Sequence, residues 1–269
     1  MNSLNQSHLE QPARAASQHA QTQLALRDVT VSFGGFLAIS GLNFSVNKGE
    51  LRCLIGPNGA GKTTALDLIC GKTRLSSGEI RFEGQAIHAM KEYEIARRGI
   101  GRKFQVPSVF RELTVRENLN IGQSQYTGVI ANLGRFGTSR DNEEIERLAE
   151  LVGLSDALEM AAAQLSHGQT QWLEIALILA QDPALILMDE PTAGMTGQET
   201  RKTAELFDRL RGAHTLIVVE HDMGFVRDIA ETISVMHQGK LLAEGTLDEI
   251  SSDPQVREAY LGSGGIGHA

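Results

Sequence analysis

Eight consecutive residues, Gly56-Pro57-Asn58-Gly59-Ala60-Gly61-Lys62-Thr63, carry the spacing G-x-x-x-x-G-K-[ST]. Glycines so placed let backbone N–H groups converge on phosphate oxygens with no side chain in the way. The helix expected after the loop adds its partly positive N-terminus. Lys62 is placed to reach the outer phosphates, and the Thr63 hydroxyl suits a Mg²⁺ ion. A Gly-rich strand-to-helix turn is the plain alternative, and the apolar stretch Leu51–Ile55 just before the loop favours the phosphate reading. A second constellation is Leu185-Ile186-Leu187-Met188-Asp189-Glu190, an apolar run ending in two acids. A buried parallel strand delivers its C-terminal residues to the ligand edge of its sheet. Asp189 then suits the metal shell, and Glu190 the orientation or deprotonation of an attacking water. Solvated acids ending a strand are common, so this motif gains its weight beside the phosphate loop. A third is Ser166-His167-Gly168-Gln169, an S-x-x-Q capping box whose helix N-terminus could also take up a phosphate.

Three zones of sequence must position these groups. Alternating apolar residues over 24–31 predict a half-exposed strand, Leu51–Ile55 a short apolar one, and a helix runs from near Gly61 to a stop at Gly71. The middle zone, 106–164, carries few strand signals. Its stretches 115–121 and 142–152 have helical spacing, with Ile145, Leu148, Ala149 and Val152 on one face, and a loop is expected over 124–139. The third zone, 166–244, alternates: a helix striped by Trp172, Ile175, Ala176 and Leu179, a strand over 184–188, a helix near 199–211, and strands over 215–219 and 232–236. Apolar strands separated by helices predict an α/β fold with parallel strands covered on both faces. Residues 1–23 read as a disordered tail without the apolar stretch of a secretory signal, and 263–269 as a flexible one.

The chain has 269 residues, 25 Lys plus Arg against 33 Asp plus Glu, and a formal charge of −8. This balance argues against coating nucleic acid, which needs a basic footprint. The charge is segregated: 141–159 holds seven acids and one base, best read as a solvated helix face, whereas 97–103 holds four bases and no acid. Cys53 and Cys70 are the two cysteines. Both fall in apolar segments, as buried free thiols of a reducing compartment would. No apolar run approaches the roughly 20 residues of a membrane-spanning helix.

The order Lys62, Gln105, Ser166, Asp189, Glu190, His221 resembles an ABC-type ATPase subunit over about residues 24–262. That resemblance implies a P-loop NTPase core with a mostly parallel sheet, an antiparallel β subdomain and an α-helical lobe, about 106–180, inserted in the RecA-like core. It implies ATP and Mg²⁺ as ligands. Phe33 would stack on adenine, with Phe36 close enough to compete. Gly56, Pro57, Asn58, Gly59, Ala60, Gly61, Lys62, Thr63 and Thr64 would hold the phosphates. Thr63, Gln105 and Asp189 would serve the metal, and Gln105 would also sense a membrane partner. Glu190, His221 and Lys62 would be catalytic, with His221 on the γ-phosphate. Two such subunits, identical or different, would meet head to tail, so that Ser166, His167, Gly168 and Gln169 of one close on the nucleotide of the other. Two positions depart from the family pattern: His167 stands where a second Gly is frequent, and Thr196 where an Asp is usual.

Finer strings, Gly101-Arg102-Lys103-Phe104-Gln105, Gln169-Thr170-Gln171-Trp172-Leu173-Glu174-Ile175 and Ala193-Gly194-Met195-Thr196, resemble the urea-transporter ATP-binding subunit of the branched-chain amino acid transporter group. Tyr260-Leu261-Gly262 after Asp253-Pro254 is similar to that group's ending. The implied role is to power a permease for urea or short-chain amides, with branched-chain amino acids as the alternative cargo. The implied partners are a second ATPase subunit, transmembrane permease subunits and, indirectly, a solute-binding protein, with no nucleic acid. The implied location is peripheral, at the cytoplasmic face of the inner membrane. A soluble DNA- or ribosome-directed relative fits less well: the chain has one phosphate loop, and the 60 residues from Gln105 to Leu165 leave no room for a long coiled-coil arm.

Overall fold

A computed structural model describes residues 21–103, 109–124 and 139–261. Strands β3 (Leu51–Ile55), β7 (Leu185–Asp189) and β8 (Thr215–Val219) are buried at every position. Successive side chains of a strand point to opposite faces, so a strand covered on both sides is largely apolar, and its buried polar members are partnered, as Arg52 of β3 is by Glu50 and Glu244. Leu51, Cys53, Ile55, Ile186, Met188, Leu216 and Val218 enter one core; Leu54, Leu185, Leu187, Ile217 and Val219 enter the other. With β6 (Ile100–Arg102), β9 (Thr232–His237) and β10 (Lys240–Gly245) these strands build a six-stranded sheet in the order β10-β9-β3-β8-β7-β6. Every neighbouring pair is parallel except β9 with β10. The expected parallel α/β core is therefore present.

On one face, helix α1 (Lys62–Ile69) packs Ala65, Leu66, Leu68 and Ile69 into a core shared with a second, four-stranded sheet. That sheet has the order β2-β1-β4-β5 and is antiparallel throughout, from β1 (Thr22–Phe33), β2 (Phe36–Asn47), β4 (Ser77–Phe82) and β5 (Gln85–Ala86). Local alternation predicts only part of β1. The long hairpin partner β2 follows Gly34 and Gly35, whose φ of 57° and 90° close the turn at no steric cost. A short helix α2 (Glu92–Arg97) precedes β6.

The other face carries helices α3 (Val115–Ser124), α4 (Ser139–Val152), α5 (His167–Leu179), α6 (Gly197–Leu210) and α7 (Met223–Ile229). The predicted stripe of α4 is buried at Ile145, Leu148, Ala149 and Val152. In α5, Trp172 is buried and its Nε1 donates to Thr203 Oγ1 of α6 at 3.0 Å. The rings of Phe207 and Phe225 meet edge-on at 5.8 Å, joining α6 to α7. Helices α8 (Leu247–Ser252) and α9 (Pro254–Leu261) end the described chain. Both cysteines are buried free thiols, and burial pushes the Cys53 thiol up to about 12. Among the described residues no helix is long and apolar enough to cross a membrane. Most of the expected 124–139 loop, and the two expected tails apart from residues 21–23, lie outside the described residues.

Candidate active site

The phosphate loop joins β3 to α1, and its glycines answer to close approaches. A Cβ on Gly56 would lie 2.2 Å from the Met236 carbonyl oxygen of β9. One on Gly61 would lie 2.7 Å from Ile39 Cδ1 and 2.9 Å from the Ala38 oxygen. Gly61 is also the N-cap of α1, at φ 100°, and supplies no side-chain cap to the first turn. Such uncapped N–H groups are the donors that an anion satisfies. Lys62, only 6% exposed, donates from Nζ to the Gly56 oxygen at 2.8 Å and the Pro57 oxygen at 3.1 Å. Burial lowers its pKa, while the Glu190 and Asp189 carboxylates pull it back up.

Asp189 closes β7 and is raised in pKa by burial, against hydrogen bonding from Thr63 and the charge of Arg102. Its Oδ2 is buried without a hydrogen-bond partner, and the Arg102 guanidinium lies 3.9 Å away. Arg102 also pairs with Asp67 of α1 at 2.5 Å, so the edge strand β6 is tied to both the loop's helix and the acidic strand. A hydroxyl beside a buried carboxylate oxygen is the hard-oxygen donor set of a small divalent cation. Thr63 and Asp189 therefore fit such an ion.

Glu190 takes the left-handed conformation, φ 49°, which a non-glycine residue adopts only when its surroundings impose it. Its N–H donates to the Val219 oxygen at 2.9 Å, pinning the turn to the end of β8. Its Oε1 lies 3.0 Å from His221 Nε2. Both side chains are partly exposed and face a cavity of about 380 Å³ that Phe33, Phe36, Gly61, Lys62 and Thr63 also line. The structure thus brings Phe33, Asn58, Gly59, Ala60, Gly61, Lys62, Thr63, Thr64, Glu190 and His221 around one space, with Asp189 against Thr63. Ser166, His167, Gly168 and Gln169 do not line it. Ser166 instead forms the predicted capping box at α5, accepting from the Gln169 N–H while its own N–H donates to Gln169 Oε1 at 2.9 Å. Gln105 lies outside the described residues.

Phe33 and Phe36 face each other across the β1–β2 hairpin end, and both are largely exposed at the cavity mouth. Stacking of a base on an aromatic ring contributes about 1–3 kcal/mol. Phe33→Ala is expected to weaken nucleotide binding about tenfold, and Phe36→Ala less, in a fluorescent-nucleotide titration. A larger loss at Phe36 would move the adenine platform to that ring.

Some site residues carry no motif signal. Glu220, buried at the end of β8, accepts from Thr192 N–H and Oγ1 (3.2 and 2.6 Å) and from the His221 N–H (3.0 Å). It holds the turn after Glu190 against the residue after β8. Lys103 pairs with Glu174 of α5 at 3.5 Å, both buried, which joins the end of β6 to the helix that Ser166 caps. Burial lowers the Lys103 pKa and raises that of Glu174. Their sequence hints are slight: Glu220 precedes His221, and Lys103 and Glu174 lie within the strings 101–105 and 169–175 without a role assigned by them.

A mostly parallel sheet with a glycine loop at one strand and an acid pair at another defines a P-loop nucleotide-hydrolysing domain. Residues 39–193 match the ABC transporter family, and residues 240–266 match the branched-chain amino acid ATP-binding cassette transporter family. The chain is 37% identical to the high-affinity branched-chain amino acid transport ATP-binding protein BraF of Pseudomonas aeruginosa, over 89% of this chain and 97% of that protein. It is also 37% identical to LivG of Escherichia coli, over 90% and 99%. Among solved structures, MJ1267, an ATP-binding cassette of an ABC transporter in its ADP conformation, aligns with TM-score 0.78 and 32% identity, over 90% of this chain and 99% of that one. The chain belongs to the ABC transporter family and is an ATP-hydrolysing subunit. Within that family it falls in the branched-chain amino acid transporter group.

Proposed function

We propose that this chain powers a solute-importing permease as one of two ATPase subunits that meet head to tail on ATP. The observation that carries the reading is the Glu190–His221 pair, 3.0 Å apart, over the cavity that Lys62 and Thr63 line. Lys62 and the loop N–H groups bind the phosphates. Glu190 takes the proton of the attacking water, and His221, in contact with it, holds the γ-phosphate side. Thr63 and Asp189 would hold Mg²⁺, with Gln105 joining them as the family resemblance implies, and the ion when bound would neutralise charge on the phosphate oxygens. The position of Ser166, His167, Gly168 and Gln169 away from their own subunit's cavity supports their engaging the partner's nucleotide. ATP bridges the two surfaces and ADP, lacking the γ-phosphate, does not, so hydrolysis releases the pair. With no spanning helix among the described residues, attachment to the cytoplasmic face of the membrane falls to the permease.

Branched-chain amino acids are the cargo that the relatives support, since BraF and LivG carry that transport in their names. Urea or a short-chain amide is the second reading, and it rests only on the short strings at 101–105, 169–175 and 193–196 that resemble a urea-transporter subunit, which mark lineage and not solute contacts. Uptake of radiolabelled leucine and urea in a strain lacking this chain separates the two. Loss of leucine uptake alone supports the first reading and loss of urea uptake alone the second. Loss of neither dismisses both cargoes and assigns the permease another solute.

A further inference from the structure

Helix α6 begins two residues before the periodicity suggests, because Thr196 caps it. Glu199 completes the box: its Oε2 accepts from the Thr196 N–H and Oγ1, both at 2.9 Å. The other oxygen crosses to the N-terminus of α5. Ser166 Oγ donates to Glu199 Oε1 at 3.3 Å, and a Cβ on Gly168 would lie 2.3 Å from that same oxygen. The Thr196 N–H and hydroxyl foremost, then the Ser166 hydroxyl and the Gly168 N–H, hold the carboxyl below its ordinary pKa. Beside this contact, His167 Nε2 lies 2.9 Å from the Ala193 oxygen. A carbonyl only accepts, so Nε2 carries the proton. Gly194 leaves the space for it, since a Cβ there would stand 3.1 Å from His167 Nε2. The two departures from the family pattern, His167 and Thr196, thus belong to one intramolecular clasp.

We propose that Glu199 is a built-in competitor for the partner's ATP: within one subunit its carboxylate occupies the Ser166 hydroxyl and packs against Gly168, where the incoming phosphate must bind. This rests on the reading that the Ser166 region engages the opposite nucleotide. One set of donors cannot serve a carboxylate and a phosphate at once, and the two anions repel. Closure therefore requires Glu199 to swing away, and the clasp sets the ATP concentration at which the subunits close. Thr196 is neutral where an Asp is usual, so the cap bonds Glu199 without repelling it.

Glu199→Gln isolates the charge, because Gln also completes the capping box. In the assembled transporter the half-saturating ATP concentration is expected to fall about fivefold, the scale of one charge a few ångströms from a phosphate in water, with kcat unchanged. Glu199→Ala frees the same donors with the cap lost and should shift half-saturation the same way. A half-saturation unchanged or raised in both variants overturns the proposal. Ser166→Ala separates the two layers. If it raises half-saturation while the Glu199 variants do nothing, the trans reading stands and the competitor role fails. If it leaves turnover and half-saturation at wild-type values, the trans reading falls and the competitor role with it.

Discussion

Glu190→Gln should abolish steady-state ATP hydrolysis in the assembled complex while nucleotide still binds. The substitution is nearly isosteric, so the left-handed turn, the N–H bond to Val219 and the loop around Lys62 are kept. What is lost is the carboxylate, 3.0 Å from His221, proposed to accept the proton of the attacking water. General-base groups contribute about 10²–10⁴-fold to a rate, so turnover should fall by at least about a hundredfold. Phosphate release under single-turnover conditions, beside a binding titration, measures both halves. Turnover within about twofold of wild type would move the base to another residue.

Lys62→Ala should remove binding and turnover together. The ammonium is buried, closes the loop onto the Gly56 and Pro57 carbonyls, and lies near the Asp189 and Glu190 charges. Its removal withdraws the cation facing the phosphates and leaves two carbonyls without their donor. Truncating one partner of a buried, hydrogen-bonded charge pair costs about 2–5 kcal/mol, roughly thirtyfold to several thousandfold in Kd. Lys62→Arg should not restore it, since a planar fork cannot fill the place of a compact ammonium. Calorimetric titration with ATP tests both variants, and wild-type affinity in Lys62→Ala would take the phosphate role from this residue.

Legibility followed covalent distance. The phosphate loop, the acid pair after β7 and the capping box at Ser166 are runs of a few residues, and each takes its form from its own backbone. The buried strands are equally plain, because burial on both faces demands a mostly apolar run, broken in β3 only by the paired Arg52. The antiparallel sheet was less so. Strands β2 and β4 are interrupted by Gly41 and Gly78, and their register with β1 shifts at several points.

By itself the sequence determined that a glycine loop follows an apolar strand, that an apolar strand ends in two acids, and that the core sheet is parallel. Spacing within a few residues settles the first two, and the alternation of apolar strands with helices settles the third. Only the tertiary structure decided that Glu190 meets His221, that Arg102 bridges Asp67 and Asp189, that Glu220 braces the turn at Thr192, and that Glu199 lies on Ser166 and Gly168. Those partners lie on different elements, tens of residues apart along the chain, and no local preference encodes their meeting. Sheet order and helix packing bring them together, and where the charge is buried, as at Arg102, Asp189 and Glu220, burial makes it depend on the partner it finds.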